Sequence, residues 1–302
     1  MCRINPKVDL AFKKLFGSEE NLDILKSFIN SHLPQDEQVS EIKLKNPYNL
    51  ADYINGKLSI LDIKAVDEKG KWYDIEMQMD SLDYYGQRTL FYWGKVFTGQ
   101  IEAGELYSKL RKTIIISILD FISFPDDERY HRIIAPRDIQ TFEKHDTLDY
   151  MDLHFVELKK FNKELKDIKT TLDRWITFLN NAYKYEKDKI PTELAADKEV
   201  KKAIERLDVM YLSKEEREYY EAEQKLIRDR AEVIRTADSK GFKRGKDEGI
   251  KEGKEEGIKE GKEEGERNKA VEMAALMKRE GEGIDKIAKY TGLSLEEIQK
   301  LC

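Results

Sequence analysis

Residues 57–79, KLSILDIKAVDEKGKWYDIEMQM, constrain the fold of this chain more than any other stretch. They read as two strands joined by the three-residue loop Glu68-Lys69-Gly70, with Gly70 supplying the left-handed position such loops need. In that register Asp67 faces Lys71 and Asp62 faces Glu76. Side chains alternate between the faces of a strand. One face then collects Leu61, Ile63, Ala65, Tyr73, Ile75, Met77 and Met79, all apolar. The other collects Ile60, Asp62, Lys64, Trp72, Asp74, Glu76 and Gln78, bringing two carboxylates opposite each other. A four-residue loop would instead send Glu76 to the face away from Asp62.

Two carboxylates on adjoining strands suit a hard divalent cation. Mg²⁺ takes one or two carboxylates together with waters and substrate phosphates, and can activate water and shield charge growing on a phosphate. The competing reading is an antiparallel hairpin with one wet face, which needs no chemistry.

Asp62 followed by Glu76-Met77-Gln78 resembles the D…(D/E)-x-K signature of PD-(D/E)xK nucleases. The match is closer to the recombination-promoting nuclease/transposase branch, where Gln takes the last position. The opening Asp9-Leu10-Ala11-Phe12-Lys13-Lys14-Leu15-Phe16-Gly17 is similar to that family's N-terminal motif, and Arg88-Thr89-Leu90-Phe91-Tyr92-Trp93 to its aromatic stretch. The resemblance covers about residues 1–185 and the glycine-repeat tail. It implies an α/β fold with a restriction-endonuclease-like α-β-β-β-α-β core, a mixed sheet flanked by helices. It also implies Mg²⁺, or Mn²⁺ or Ca²⁺, held by Asp62, Glu76 and the Met77 carbonyl, with Asp9 as a further candidate ligand. Asp9 reads equally well as a charge paired with Lys13 one turn on. Gln78 stands where the superfamily has Lys. It can orient a water but carries no charge, so Lys64 is a candidate substitute cation, the alternative being a solvated lysine. Arg88 is a candidate phosphate contact, or a partner for a carboxylate near the site.

The rest of the chain fits this core. Val8, Phe12, Leu15 and Phe16, then Leu22, Leu25, Phe28 and Ile29, form two helical stripes with Gly17 as a stop. A short strand is expected over 38–45. An aromatic helix over 82–101 is expected to pack on the sheet, its rings offering core or base-stacking surface. KTIIISILDF, 112–121, reads as a strand buried on both faces, with further strands over 130–135 and 151–158 and a helix over 172–185. The histidines, His32, His131, His145 and His154, show no zinc-like spacing. There is no phosphate-binding glycine loop and nothing that recommends a nucleophilic Ser or Cys.

Charge and composition bound the partners. The net charge of −6 means any DNA-facing basic surface is local. Cys2 and Cys302 suggest no disulfide framework. No apolar run reaches the roughly 20 residues of a membrane span and no signal-like apolar segment opens the chain, so a cytoplasmic protein is expected. Residues 1–188 are assigned to the nuclease-like domain, 189–240 to a charged helical region, 241–268 to a glycine-repeat tail and 269–302 to a small helix-turn-helix-like unit. Glycine recurs every four residues from 241 to 265, and GIKEGKEE occurs twice. Between Gly241 and Arg267 there are 8 Lys/Arg and 9 Asp/Glu, a near-neutral balance that does not advertise DNA. Seven glycines at about 0.8–1.0 kcal/mol each outweigh i,i+4 ion pairs at about 0.2–0.5 kcal/mol. A lone helix there is expected to be marginal, leaving a solvated linker or a self-association element. In the last unit Ser294-Leu295-Glu296-Glu297 is a capping box with Leu293 and Ile298 as its staple. Its acidic opening disfavours DNA reading.

The function expected is a metal-dependent DNA endonuclease of the recombination-promoting, transposase-related type. The alternative is a nuclease-like scaffold that binds DNA or protein without cutting and self-associates through its tail. A third reading is a purely structural assembly protein.

Overall fold

The computed structural model describes residues 4–46, 48, 62–81, 84–186, 189–209 and 212–301, with only the backbone of Asp62, Asp208 and Val209. Leu61, Ile60, Pro47 and the first residues of the expected hairpin therefore lie outside the described residues. The described chain separates into two compact units, up to Leu226 and from Ile227.

The first unit is built on a mixed six-stranded sheet. Helices α1 (Asp9–Phe16) and α2 (Leu22–Asn30) precede strands β1 (Ile42–Leu44), β2 (Asp62–Asp67) and β3 (Trp72–Gln78). Helix α3 (Tyr85–Thr98) then leads to β4 (Thr113–Leu119), β5 (His131–Ile134) and β6 (Met151–Glu157), followed by α4 (Thr171–Asn181), α5 (Thr192–Ala195), α6 (Lys198–Val209) and the long α7 (Lys214–Arg279). The sheet order is β1-β2-β3-β4-β6-β5. β1 and β2 run antiparallel to their neighbours, β3, β4 and β6 run parallel, and β5 is an antiparallel edge. The α-β-β-β-α-β order implied by the resemblance is present, from the opening helices through β1, β2, β3 and α3 to β4.

The central hairpin adopts the three-residue loop. Gly70 has φ +81°, and the Gly70 N–H donates to the Asp67 carbonyl at 3.0 Å. The Asp67 carboxylate clamps the turn. Its Oδ1 accepts from the Lys69 and Lys71 N–H groups at 2.9 and 2.8 Å, and its Oδ2 accepts from the Tyr73 hydroxyl at 3.0 Å. These bonds fix the register that makes Asp62 the partner of Glu76, and Lys64 the partner of Asp74. Alanine at position 70 would carry a side chain into the left-handed region and bring Cβ within 3.3 Å of Arg111 Cγ. Gly70→Ala is therefore expected to lose about 1–2 kcal/mol, measurable as a lower urea midpoint at unchanged slope.

Alternation gives the sheet two covered faces. Ile63, Ala65, Tyr73, Ile75 and Met77 join Ile114, Ile116 and Ile118 in the main core, against α1, α2, α4 and α6. Trp175 anchors that core, 0% exposed, with ring centroids 5.5–5.6 Å from Phe16, Phe28 and Phe178. All seven residues of β4 are buried, as expected of a strand covered on both faces. The core also takes in Leu194, Val200, Ala203, Ile204 and Leu207 of α5 and α6, an apolar stripe inside the charged stretch 189–240. The first turns of α7 belong to the same unit, with Lys14 paired to Glu216 at 2.6 Å and the Tyr220 hydroxyl accepting from the Asn5 N–H at 2.7 Å.

In the second unit α7 runs unbroken through all seven repeat glycines. The tail expected from propensity to be marginal is thus helical, its Lys, Glu and Ile residues being good to fair helix formers. Among the described residues the repeat carries Lys251–Glu255 at 3.9 Å rather than the acid-to-base pairs its spacing allows. Helices α8 (Ile284–Thr291) and α9 (Leu295–Lys300) fold back on the end of α7 around Ala274, Ile287, Leu293 and Ile298. Gly292 ends α8 at φ +72°, and Ser294 and Glu297 form the expected capping box. Glu297 also pairs with Arg267 at 2.7 Å. Lys278 donates to the carbonyls of Ile298, Gln299 and Leu301 at 3.2, 3.1 and 2.5 Å, satisfying the open end of α9.

Candidate functional site

The site grows out of the second face of β3. Asp74, Glu76 and Gln78 share that face, and the parallel register sets Ile115, Ser117 and Leu119 of β4 beside them. The reading of this face as wet is corrected. Asp74 is 0% exposed, Glu76 1% and Gln78 8%. The reason is α3, which lays Tyr85, Thr89 and Val96 inward, with Tyr85 closing a second core of Ile115, Leu119, Leu153 and Phe155. The aromatic helix therefore packs as expected only along one stripe. Tyr84 and Phe91 are 58% and 67% exposed on its outer side.

Tyr85 lies beside the carboxylate of Glu76. Burial first, then the Glu76 charge, push its phenol well above the ordinary value, while Ser117, Thr89 and Arg88 pull the other way. Arg88 lies near Tyr85, and its guanidinium is 5.3 Å from the Tyr92 ring centre.

At the end of β3, Gln78 donates through Nε2 to the Asp80 carbonyl at 3.2 Å. Its Oε1 is buried and accepts no hydrogen bond among the described residues. The Asp120 N–H donates to the Gln78 carbonyl at 2.9 Å, and the Asp120 side chain pairs with Lys7 at 2.9 Å. The start of α1 therefore lies at the same end of the sheet as Gln78. Asp9, two residues on, pairs with Lys13 at 3.3 Å and is among the charges raising the Tyr48 phenol, after burial and Glu216. The Met77 side chain is in the main core. Lys64 is half-buried and sits directly across from Asp74.

Three participants carry no sequence motif of their own. Asp74 adds a second described acid to the face of β3 that carries Glu76. Ser117 lies level with Glu76 on β4, and Tyr85 covers it from α3. The alternation pattern already put Asp74 on this face; the other two needed the β3–β4 register and the facing of α3.

The donor set fits a hard cation. Burying ionised carboxylates is costly unless a cation or metal offsets them, and the face supplies carboxylate and amide oxygens of the kind Mg²⁺ accepts. Among the described residues no three His, Cys, Asp or Glu side chains are already grouped to hold an ion; the side chain of Asp62 is not among them.

A second polar cluster forms on the main-core side of β6. Ring centroids of His131 and His154 are 5.3 Å apart, and His32 at the end of α2 lies 5.6 and 6.2 Å from them. Their distant positions in the chain hid this grouping. His32 Nδ1 donates to the Phe28 carbonyl at 2.7 Å, and His131 Nε2 and His154 Nδ1 lie 3.2 Å apart.

Comparison with known proteins gives one family. The model described as PD-(D/E)XK nuclease family transposase matches residues 6–237. No curated protein and no solved structure gives a significant match. No described helix is long and apolar enough to cross a membrane.

Proposed function

Because the chain belongs to the PD-(D/E)XK nuclease family transposases, we propose that it hydrolyses DNA phosphodiester bonds with Mg²⁺, or Mn²⁺, as an endonuclease. One observation carries the proposal: the hairpin register pairs Asp62 with Glu76, on strands whose shared face also holds Asp74 and Gln78. Asp62, Glu76 and the Met77 carbonyl are the proposed ligands. Asp9, whose helix begins at this end of the sheet, is a further candidate ligand. The ion would supply Lewis acidity toward a phosphate oxygen and a more acidic water.

The protein groups do the rest. Gln78, with Oε1 open to a donor, accepts from and orients the attacking water. Lys64 supplies positive charge on the same face, in place of the lysine that Gln78 replaces. Arg88 meets a phosphate oxygen from α3, where guanidinium geometry suits bidentate contact.

The test is plasmid DNA incubated with Mg²⁺, Mn²⁺ or Ca²⁺ beside Asp62→Ala and Lys64→Ala. Cleavage by the parent, lost in Asp62→Ala and reduced in Lys64→Ala, is the expected result. Equal cleavage by Asp62→Ala would move the chemistry elsewhere. Equal cleavage by Lys64→Ala would remove only that residue's role.

The burial of Glu76, 1% exposed beneath α3, favours a second reading. A phosphate reaches this carboxylate only if the covering helix or its flank gives way. Without that opening the domain is a nuclease-like scaffold that binds DNA or a protein uncut. DNA binding without cleavage under all three ions would select it.

A further inference from the structure

The near-neutral charge of the repeat region conceals a sharp segregation along α7. Residues 227–246 carry seven Lys/Arg against three Asp/Glu, whereas residues 247–266 carry four Lys against nine Asp/Glu. A window opened at Gly241 cuts the basic block in two and averages it with the acidic one. The whole chain is acidic, at −6, so a run of this sign is a local feature with a direction to it.

The basic block is also ordered in space. Every residue from 228 to 246 is exposed within one continuous helix. At 3.6 residues per turn, Arg228, Arg235, Lys243 and Lys246 fall within about 80° of one another around the axis. One acid shares that sector, Glu232, and it is paired with Arg235 at 3.4 Å. From Arg228 to Lys246 the stripe is about 27 Å long at 1.5 Å rise per residue. A duplex presents one phosphate per 3.4 Å of each strand, so several phosphates lie within its reach. Four like charges held along one exposed sector repel each other and gain from an anionic partner.

We infer that residues 228–246 of α7 form a DNA-backbone contact, with Arg228, Arg235, Lys243 and Lys246 each meeting a phosphate. The inference rests on the DNA reading of the preceding section and adds where the acidic chain holds its substrate. The contact is independent of base sequence, since charge on an exposed helix face reads phosphates rather than base edges. The acidic octads that follow mark where the contact ends.

The test uses the full chain and a fluorescent duplex in Ca²⁺, with binding measured by anisotropy from 50 to 300 mM KCl. The variant replaces Arg228, Arg235, Lys243 and Lys246 by Gln, which keeps helix propensity close to that of Lys and Arg. A matched control replaces Lys251, Lys254, Lys259 and Lys262 by Gln. In the variant, the slope of log K against log salt shrinks by about 3–4, and affinity at 0.1 M salt falls on the order of 10²–10³-fold. The control keeps most of the parent's slope. Equal slopes for parent and variant, with the parent binding DNA, overturn the contact and leave the nuclease reading standing. Equal losses in variant and control overturn it too, since the effect would then be net charge alone. A change in oligomeric state in place of a change in slope assigns the stripe to a second copy of the chain and overturns the DNA contact. A parent that neither binds nor cuts DNA removes the DNA reading itself.

Discussion

Saturating Mn²⁺ raises the melting temperature of the full chain by several degrees, and Glu76→Gln removes the rise. A cation that binds the folded site and not the unfolded chain stabilises by RT ln(1 + [L]/Kd), about 2.7 kcal/mol at a hundred times Kd. For a unit of roughly 200 residues that corresponds to a shift of roughly 5–10 °C. Glu76 is the acid to change because its β3 position is fixed by pairing on both sides, to Asp62 and to Ser117. Gln keeps the side-chain volume in a place that is 1% exposed while removing the anionic donor. Losing a group that only supports a metal ligand typically costs 10–100-fold in affinity, and losing the ligand itself is expected to cost more. The comparison is made within each protein, with and without metal, so any change in basal stability drops out. A parent whose melting is unmoved by Mg²⁺, Mn²⁺ and Ca²⁺ alike would leave Glu76 as a structural acid. So would equal shifts in parent and variant.

How far such a site is legible in sequence depends on whether its determinants are local. The hairpin was legible because a period of two and one glycine fix both the loop and the face of every residue, and Gly70 at φ +81° makes the turn. β4 was legible because seven consecutive residues without a polar break other than Thr113 and Ser117 leave no wet side. What covers the carboxylate face was not legible. Rings and aliphatics occur all round α3, so its composition does not say that Tyr85, Thr89 and Val96 turn inward while Leu90 and Phe91 stay out. The packing of α6 was diluted in the same way. Val200, Ala203, Ile204 and Leu207 have helical spacing, but the lysines and glutamates between them dominate any average. His32, His131 and His154 come from a helix end and two paired strands, and only the β5–β6 register and the approach of α2 bring them together.

That histidine cluster makes the first unit acid-sensitive above the range where carboxylates titrate. Burial pushes His32 down to about 3, with the charge of His131 adding to it, and pushes His131 down to about 4. His154 is held well below its ordinary value by burial, then by His32, His131 and Lys112. The surrounding charges do not relieve this, since Lys112 is itself engaged by Asp149 and Asp152 at 2.7 and 2.5 Å. The folded state therefore prefers neutral imidazoles and the unfolded state binds protons first. Stability is whole above the unfolded value of 6.5 and is lost as pH falls toward 4 and then 3. By pH 5, His32 and His131 each withdraw about 2 kcal/mol, a large share of the 5–15 kcal/mol typical of a domain. Urea titrations between pH 7.5 and 4.5 are expected to show this fall. His131→Gln, at the half-buried member of the cluster, is expected to reduce the slope between pH 6 and 5 by about 1.2 kcal/mol per pH unit, a little under the equivalent of one proton. A parent stability that is flat from pH 7 to 5 would mean that these three rings are protonated in the folded state as readily as in the unfolded chain.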